Sequence, residues 1–200
     1  MPPVVGQPAW DVALLYPLQG GWSEEEYLSI ALTRNRLIEY TNGCVEVLPM
    51  PTVAHQLIVR FLLDALRAFV EPNLGVVLFA PLPVWTVTAK YREPDLIFHF
   101  TESHTRRAKQ YYEGADLVME VVSDDPAGRQ RDYETKRRDY AEAGIPEYWI
   151  VDPQQHRIAV LTLDGGRYVE HAYAHGGTAE SRLLNGFSVD VDAVFAAGRR

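Results

Sequence analysis

Cysteine is nearly absent from this chain, with Cys44 the one thiol among 200 residues. A lone thiol excludes an internal disulfide and a multi-cysteine zinc site, so Cys44 is expected at a small, buried apolar position. Long apolar runs are absent too: none reaches the roughly 18 to 20 residues that a membrane span requires. The opening residues, MPPVVGQPAW, lack the basic-then-apolar pattern of a secretory signal, and the expected location is the cytoplasm. Basic residues are in deficit, 19 Lys and Arg against 27 Asp and Glu, for a formal net charge of -8. That balance opposes non-specific attraction to nucleic acid, which depends on basic patches that displace counterions. There is no GxxxxGK[ST] loop and no GxSxG elbow, so nucleotide hydrolysis and serine-hydrolase chemistry lack their sequence features. Repeats, heptads and low-complexity segments are also missing.

What is present suits one domain. With 47% hydrophobic residues, the chain has material for one core and too little for two ordinary ones. Residues 1–22, rich in Pro and Gly, read as an irregular arm and residues 23–200 as a single domain. The basic residues are clustered: Arg129, Arg131, Lys136, Arg137 and Arg138 form one group, and Arg106, Arg107 and Lys109 another. A local basic rim is compatible with the acidic total.

The pattern predicts a short helix after Ser23, which stands at capping-box spacing from Glu26. Leu37 to Thr41 and Cys44 to Leu48 flank Asn42-Gly43, the dipeptide suited to a type I′ hairpin turn. Thr52 is placed to cap a second helix whose apolar positions, Leu57, Ile58, Phe61, Leu62, Ala65, Leu66 and Phe69, share one face until Pro72. Strands are expected at Val76 to Ala80, Val84 to Thr88, Asp95 to Phe100 and Leu117 to Val122. A helix from about Asp132 to Ala143, ended by Gly144, precedes a strand from Glu147 to Val151. Arg157 to Leu163 and Arg167 to Tyr173 form a C-terminal hairpin around Asp164-Gly165-Gly166, and Val191 to Ala197 a last helical turn. The fold class is α/β (α+β), a mixed sheet flanked by helices, with N-terminal and C-terminal hairpins.

Three charged residues stand out. Glu120 interrupts an otherwise apolar strand, and an unpaired carboxylate there would protonate or destabilise the fold. A metal ion or cationic partner offsets that cost; the alternatives are a solvent-facing edge position or an arginine pair. Asp95 follows Pro94, which enforces an extended approach to the next strand. Alone it suits a turn, but two carboxylates on neighbouring strands also suit Mg²⁺, which takes oxygen ligands and often only one or two from protein. Tyr133, Lys136 and Tyr140 share a helix face at three-and-four spacing. Packed on the sheet, that face directs the ammonium toward Glu120. Otherwise Lys136 covers the tyrosines with its methylenes and pairs with Asp132, an arrangement worth about 0.3 to 0.5 kcal/mol.

Taken in order, Leu37-Ile-Glu-Tyr-Thr-Asn-Gly43, His55-Gln56, Arg92-Glu-Pro-Asp95, Asp116-Leu-Val-Met-Glu-Val-Val-Ser123, Lys136 and Gly144-Ile-Pro-Glu-Tyr-Trp-Ile-Val-Asp-Pro153 resemble the Uma-type endonuclease family. This is a large bacterial group within the PD-(D/E)XK, restriction-endonuclease-like superfamily, and the match runs from about Glu25 to Phe195. The resemblance implies a restriction-endonuclease-like core and Mg²⁺- or Mn²⁺-dependent hydrolysis of phosphodiester bonds in DNA; cutting two strands would in turn suit a twofold homodimer. It assigns Asp95 and Glu120 as catalytic metal ligands, with the carbonyl of Val121 as a third. Val122 occupies the usual lysine position, and the resemblance transfers the lysine role to Lys136. Glu39 and His55 match further family positions, as auxiliary ligands, cleft-lining residues or structural residues.

Two other readings compete: an inactive or weak nuclease-fold protein acting as a nucleic-acid-binding or accessory module, and another two-carboxylate hydrolase such as a glycosidase. The latter leaves Lys136 without a role. His99, Glu102 and His104, or His171 with His175, suggest a transition-metal site only weakly, lacking an HExxH element. Trp149 and Tyr148 read as core rather than as a base-stacking platform, and Glu24-Glu25-Glu26 as the acidic first turn of a helix.

Overall fold

Asn42 and Gly43 carry φ angles of 48° and 82°, the two positive values that a type I′ turn requires. They join β1 (Ile38–Thr41) to β2 (Cys44–Val47) in a hairpin with Thr41 opposite Cys44. This computed structural model describes residues 19–33, 37–71, 73–103 and 110–199. Most of the N-terminal arm, Pro72, His104 and the Arg106, Arg107 and Lys109 group therefore lie outside the described residues. Of the arm, Gln19 brackets the backbone N–H and carbonyl of Val45, and Gly20 donates to Gly43, so this part docks on the hairpin. Cys44 is exposed, contrary to expectation. Side chains alternate along β2, and Val45 takes the inward position.

The helix α1 (Glu24–Thr33) starts at a reciprocal capping box: Ser23 N–H donates to Glu26 Oε2 at 2.8 Å, and Glu26 N–H donates to Ser23 Oγ at 3.2 Å. Thr52 caps α2 (Val53–Val70) by accepting from the N–H of His55 at 3.1 Å. Ile58, Leu62, Leu66 and Val70 of α2 are buried as one stripe, whereas Phe69 is partly exposed.

The remaining strands are β3 (Gly75–Phe79), β4 (Val84–Val87), β5 (Lys90–Arg92), β6 (Leu96–Phe100), β7 (Tyr112–Glu113), β8 (Leu117–Val121), β9 (Glu147–Asp152), β10 (Arg157–Asp164), β11 (Arg167–Tyr173), β12 (Thr178–Glu180) and β13 (Ser188–Asp190). They form a six-stranded sheet ordered β11-β10-β9-β8-β6-β3 and a five-stranded sheet ordered β2-β1-β5-β4-β7, with β12 and β13 paired separately. In the larger sheet β8 and β9 run parallel and the other pairs antiparallel. A parallel pair needs a crossover, and helical segments between Pro126 and Glu142 supply it.

Those segments differ from the single expected helix over 132–143. Helix α3 (Pro126–Gln130) begins earlier because Asp125 accepts from Gly128 N–H at 2.8 Å and Pro126 takes the first helical turn. A π-helical turn, Arg131–Lys136, follows, and α4 (Arg137–Glu142) completes the crossover. Gly144, at φ 72°, ends it as expected. Asp190 caps the last helix, α5 (Val191–Ala197). On β8, Leu117, Met119 and Val121 join the core under α2, while Val118 and Val122 join a second core with Tyr140 and Tyr148. Strand alternation therefore turns Glu120 toward the crossover side. Tyr148 and Trp149 are fully buried core residues, as expected. No helix among the described residues is long and apolar enough to cross a membrane.

Candidate active site

The antiparallel register of β6 and β8 sets Leu96 opposite Met119, which brings Asp95, one residue earlier, level with Glu120. Asp95 Oδ2 accepts from the N–H of Val121 at 2.8 Å and lies 3.1 Å from His55 Nε2 at the start of α2. Glu120 Oε1 accepts from the Lys136 ammonium at 2.8 Å and from the Tyr140 hydroxyl at 2.7 Å. Lys136 lies a further 3.3 Å from Glu39 Oε1 and 3.5 Å from Asp132 Oδ1. The five sequence-nominated side chains thus form two adjoining groups, Asp95 with His55 and Glu120 with Lys136 and Glu39, that flank the β8 backbone at Glu120 and Val121.

Besides α2, β6 and β8, two further elements converge on this cluster. Glu39 arrives on β1 and is braced by the N–H of Glu93 at 3.2 Å and by Arg92 at 3.4 Å. Arg92 is itself held by Asp139 at 2.6 Å. The π-helical turn delivers Asp132 and Lys136 to the same side. Tyr133 does not share their face as three-and-four spacing implied: its hydroxyl donates to Asp152 at 2.8 Å. A π turn holds more residues per turn than an α-helix, so it shifts the facing positions.

Burial and charge set the protonation tendencies. Burial pushes Glu120 up to about 8, against the pull of the Lys136 charge. Burial likewise raises Glu93 to about 8, with the Glu39 charge adding to it, and raises Asp132 to about 6. Burial would lower Lys136, but the charges of Glu120, Glu39 and Asp132 outweigh it and hold the ammonium protonated. Glu39 is also buried, yet Lys136 and Arg92 keep it below the usual carboxylate range. For His55, the bond to Asp95 outweighs burial and raises the pKa.

A cavity of about 240 Å³ opens on this cluster, with Glu93, Asp95, Glu120 and Asp132 on its walls against Arg131 and Lys136, and Leu48, Pro49 and Met50 at an apolar side. Asp132 Oδ1 and His55 Nδ1 are buried there without hydrogen-bond partners. The excess of buried carboxyl groups suits an added cation. Asp95, Glu120 and the Val121 carbonyl offer an all-oxygen donor set of the kind hard divalent ions take, the remaining positions being water. Among the described residues no three His, Cys, Asp or Glu side chains form a metal-binding group by themselves, so any ion relies on backbone and solvent for the rest.

Sequence reasoning did not nominate Glu93, Asp132 or Arg131 for the site. Glu93 stands two residues before Asp95, and Asp132 one turn before Lys136, a spacing that by itself implies only an ion pair. The expected basic rim is largely compensated: Arg129 pairs with Asp152 at 2.6 Å, Arg131 with Glu46 at 3.0 Å and Arg137 with Glu170 at 2.7 Å. Among the described residues the histidine alternatives form no metal-binding group, His104 lying outside them. His99 is buried and stacks on Tyr112, and His175 pairs with Asp192 on the surface.

A mixed sheet with flanking helices, carrying an acidic pair and a lysine at the junction of β6, β8 and the crossover, defines a restriction-endonuclease-like fold. A crystal structure described as "a putative nuclease belonging to DUF820" from Anabaena variabilis ATCC 29413 superposes with a TM-score of 0.68 at 14% identity, covering 86% of this chain and 98% of that one. The model of the Uma2 family, described as "Putative restriction endonuclease", matches residues 24–192, and the chain belongs to that family. No curated relative matches.

Proposed function

We propose that this protein is a divalent-metal-dependent endonuclease that hydrolyses phosphodiester bonds in DNA, acting in the cytoplasm through one domain over residues 23–200. The observation that supports this reading most is Glu120, a carboxylate inside a covered strand, level with Asp95 and 2.8 Å from a buried lysine. Asp95, Glu120 and the Val121 carbonyl would hold Mg²⁺ or Mn²⁺. When bound, the ion supplies Lewis acidity toward a phosphate oxygen and lowers the pKa of a coordinated water.

The chain's own groups do the rest. His55 and the Val121 N–H fix one oxygen of Asp95. Tyr140 and Lys136 fix one oxygen of Glu120 and leave the other for the cavity. Lys136 orients the attacking water and stabilises the negative charge developing on the phosphorane. Glu39 holds the ammonium in place from behind. A twofold dimer would present two such sites to the two strands of a duplex.

A weakly active, nucleic-acid-binding module is the second reading, favoured by Lys136 already being engaged by three carboxylates. Cleavage assays on single- and double-stranded DNA and RNA, with Mg²⁺ and with Mn²⁺, separate the two. Metal-dependent scission lost in Asp95→Asn supports the endonuclease, and metal-independent binding with no scission supports the module.

A further inference from the structure

A nuclease cavity walled by carboxyl groups must still accept a phosphate, and its cations are the natural place to look. Lys136 is committed to the reacting centre, where Glu120, Glu39 and Asp132 surround its ammonium, so a second cation is needed to hold the strand. Arg131 differs. It lies on the wall of the same cavity at the start of the π-helical turn, with its side chain only 11% exposed. Its Nε is buried without a hydrogen-bond partner, while its Nη1 rests 3.0 Å from Glu46 Oε1.

The Glu46 carboxylate is replaceable. Glu46 sits on β2 with its side chain 59% exposed, so releasing it returns a carboxylate to water while a phosphate takes its place on the guanidinium. A guanidinium carries five N–H donors in a planar fork matched to phosphate. With one donor unsatisfied inside the wall and another on an exposed, releasable partner, this fork is poised to exchange carboxylate for phosphate.

We infer that Arg131 binds a substrate phosphate on the wall shared by the acidic cavity and the neighbouring pocket lined by Glu46 and Thr41, with Glu46 occupying the guanidinium until a nucleic-acid strand displaces it. This rests on the nuclease reading above and names the group that holds the strand. It also accounts for an acidic protein handling a polyanion: contact is gated by exchange at one arginine instead of spread over a basic face. In the free protein Glu46 competes with substrate, so removing it should strengthen binding.

The test measures equilibrium binding of fluorescent single- and double-stranded DNA oligonucleotides to the full chain in Ca²⁺, across a salt series, for wild type, Arg131→Ala, Arg131→Lys and Glu46→Ala. Loss of one phosphate contact predicts that Arg131→Ala lowers the slope of log K against log salt by about 0.7 to 0.9 and weakens binding about fivefold near physiological salt. Arg131→Lys should restore most of the slope, and Glu46→Ala should tighten binding. A merely structural role for Arg131 gives neither the slope change nor the tightening. Wild-type cleavage in Mg²⁺, measured in parallel, reports on the nuclease reading. Scission that persists with an unchanged slope in Arg131→Ala and no tightening in Glu46→Ala overturns this inference alone. A wild type that neither binds nor cuts nucleic acid overturns both.

Discussion

The Lys136 ammonium lies 2.8 Å from Glu120 Oε1, and it reaches that oxygen from a helix rather than from the strand that carries Glu120. Two residues along the strand, on the same face, Val122 packs with Tyr140 and Tyr148 in an apolar cluster. A lysine at that position would have to bury its stem and charge among those rings. The crossover instead supplies the cation from above, and its π-helical turn sets the angle.

Replacing Lys136 with Met leaves Glu120, Glu39 and Asp132 facing one another without their cation. Removing one partner of a buried ion pair costs about 3 to 5 kcal/mol, and urea unfolding near neutral pH is expected to show a loss of that order. The loss should shrink in acid, where Asp132, raised to about 6, takes up its proton. A variant as stable as wild type near neutrality would mean that the cluster is not the ion network described.

The pH dependence of stability follows from Glu120. Its folded value of about 8 stands above its ordinary 4.5 because of burial, so the folded chain binds this proton more tightly than the unfolded chain. Its contribution is complete below about 4.5 and is lost as pH rises through about 8. Glu93, also raised to about 8, acts in the same direction. Since a divalent cation competes with the Glu120 proton, saturating Mn²⁺ should raise the melting temperature more at pH ~8.5 than at pH ~6. Equal shifts at the two values would remove Glu120 from the ion's coordination.

His55 acts on Asp95 through Nε2 at 3.1 Å. Loss of a group that orients a ligand commonly lowers metal affinity by about 10- to 100-fold. Calorimetric titration of His55→Ala with Mn²⁺ is expected to fall in that range with the fold retained, and unchanged affinity would make the contact incidental.

The legible part of this protein was local. Asn42-Gly43 announced its hairpin because few dipeptides accept two positive φ angles, and Ser23 and Thr52 announced helix starts because their hydroxyls satisfy free N–H groups. Glu120 was conspicuous because a charge inside an apolar run requires a partner. The two- and three-residue strands Tyr112–Glu113 and Lys90–Arg92 are too short to show alternation, and the five-residue helix that Asp125 and Pro126 start is too short to show an apolar face. The π-helical turn has no residue signature, so the separation of Tyr133 from Lys136 was not foreseeable from spacing. That Glu93 and Arg131 face the cavity depends on how β1, β5 and the crossover meet, which no short stretch of sequence encodes.

The most direct test of the central claim is the rate of plasmid nicking in Mg²⁺ or Mn²⁺ by wild type, Asp95→Asn and Glu120→Gln at matched purity, with circular dichroism confirming the fold of each. The account predicts cleavage by wild type that chelation abolishes, and a loss of at least about a hundredfold in both variants, the scale seen when one electrostatic group is removed from a transition state. Equal nicking by all three proteins would contradict it.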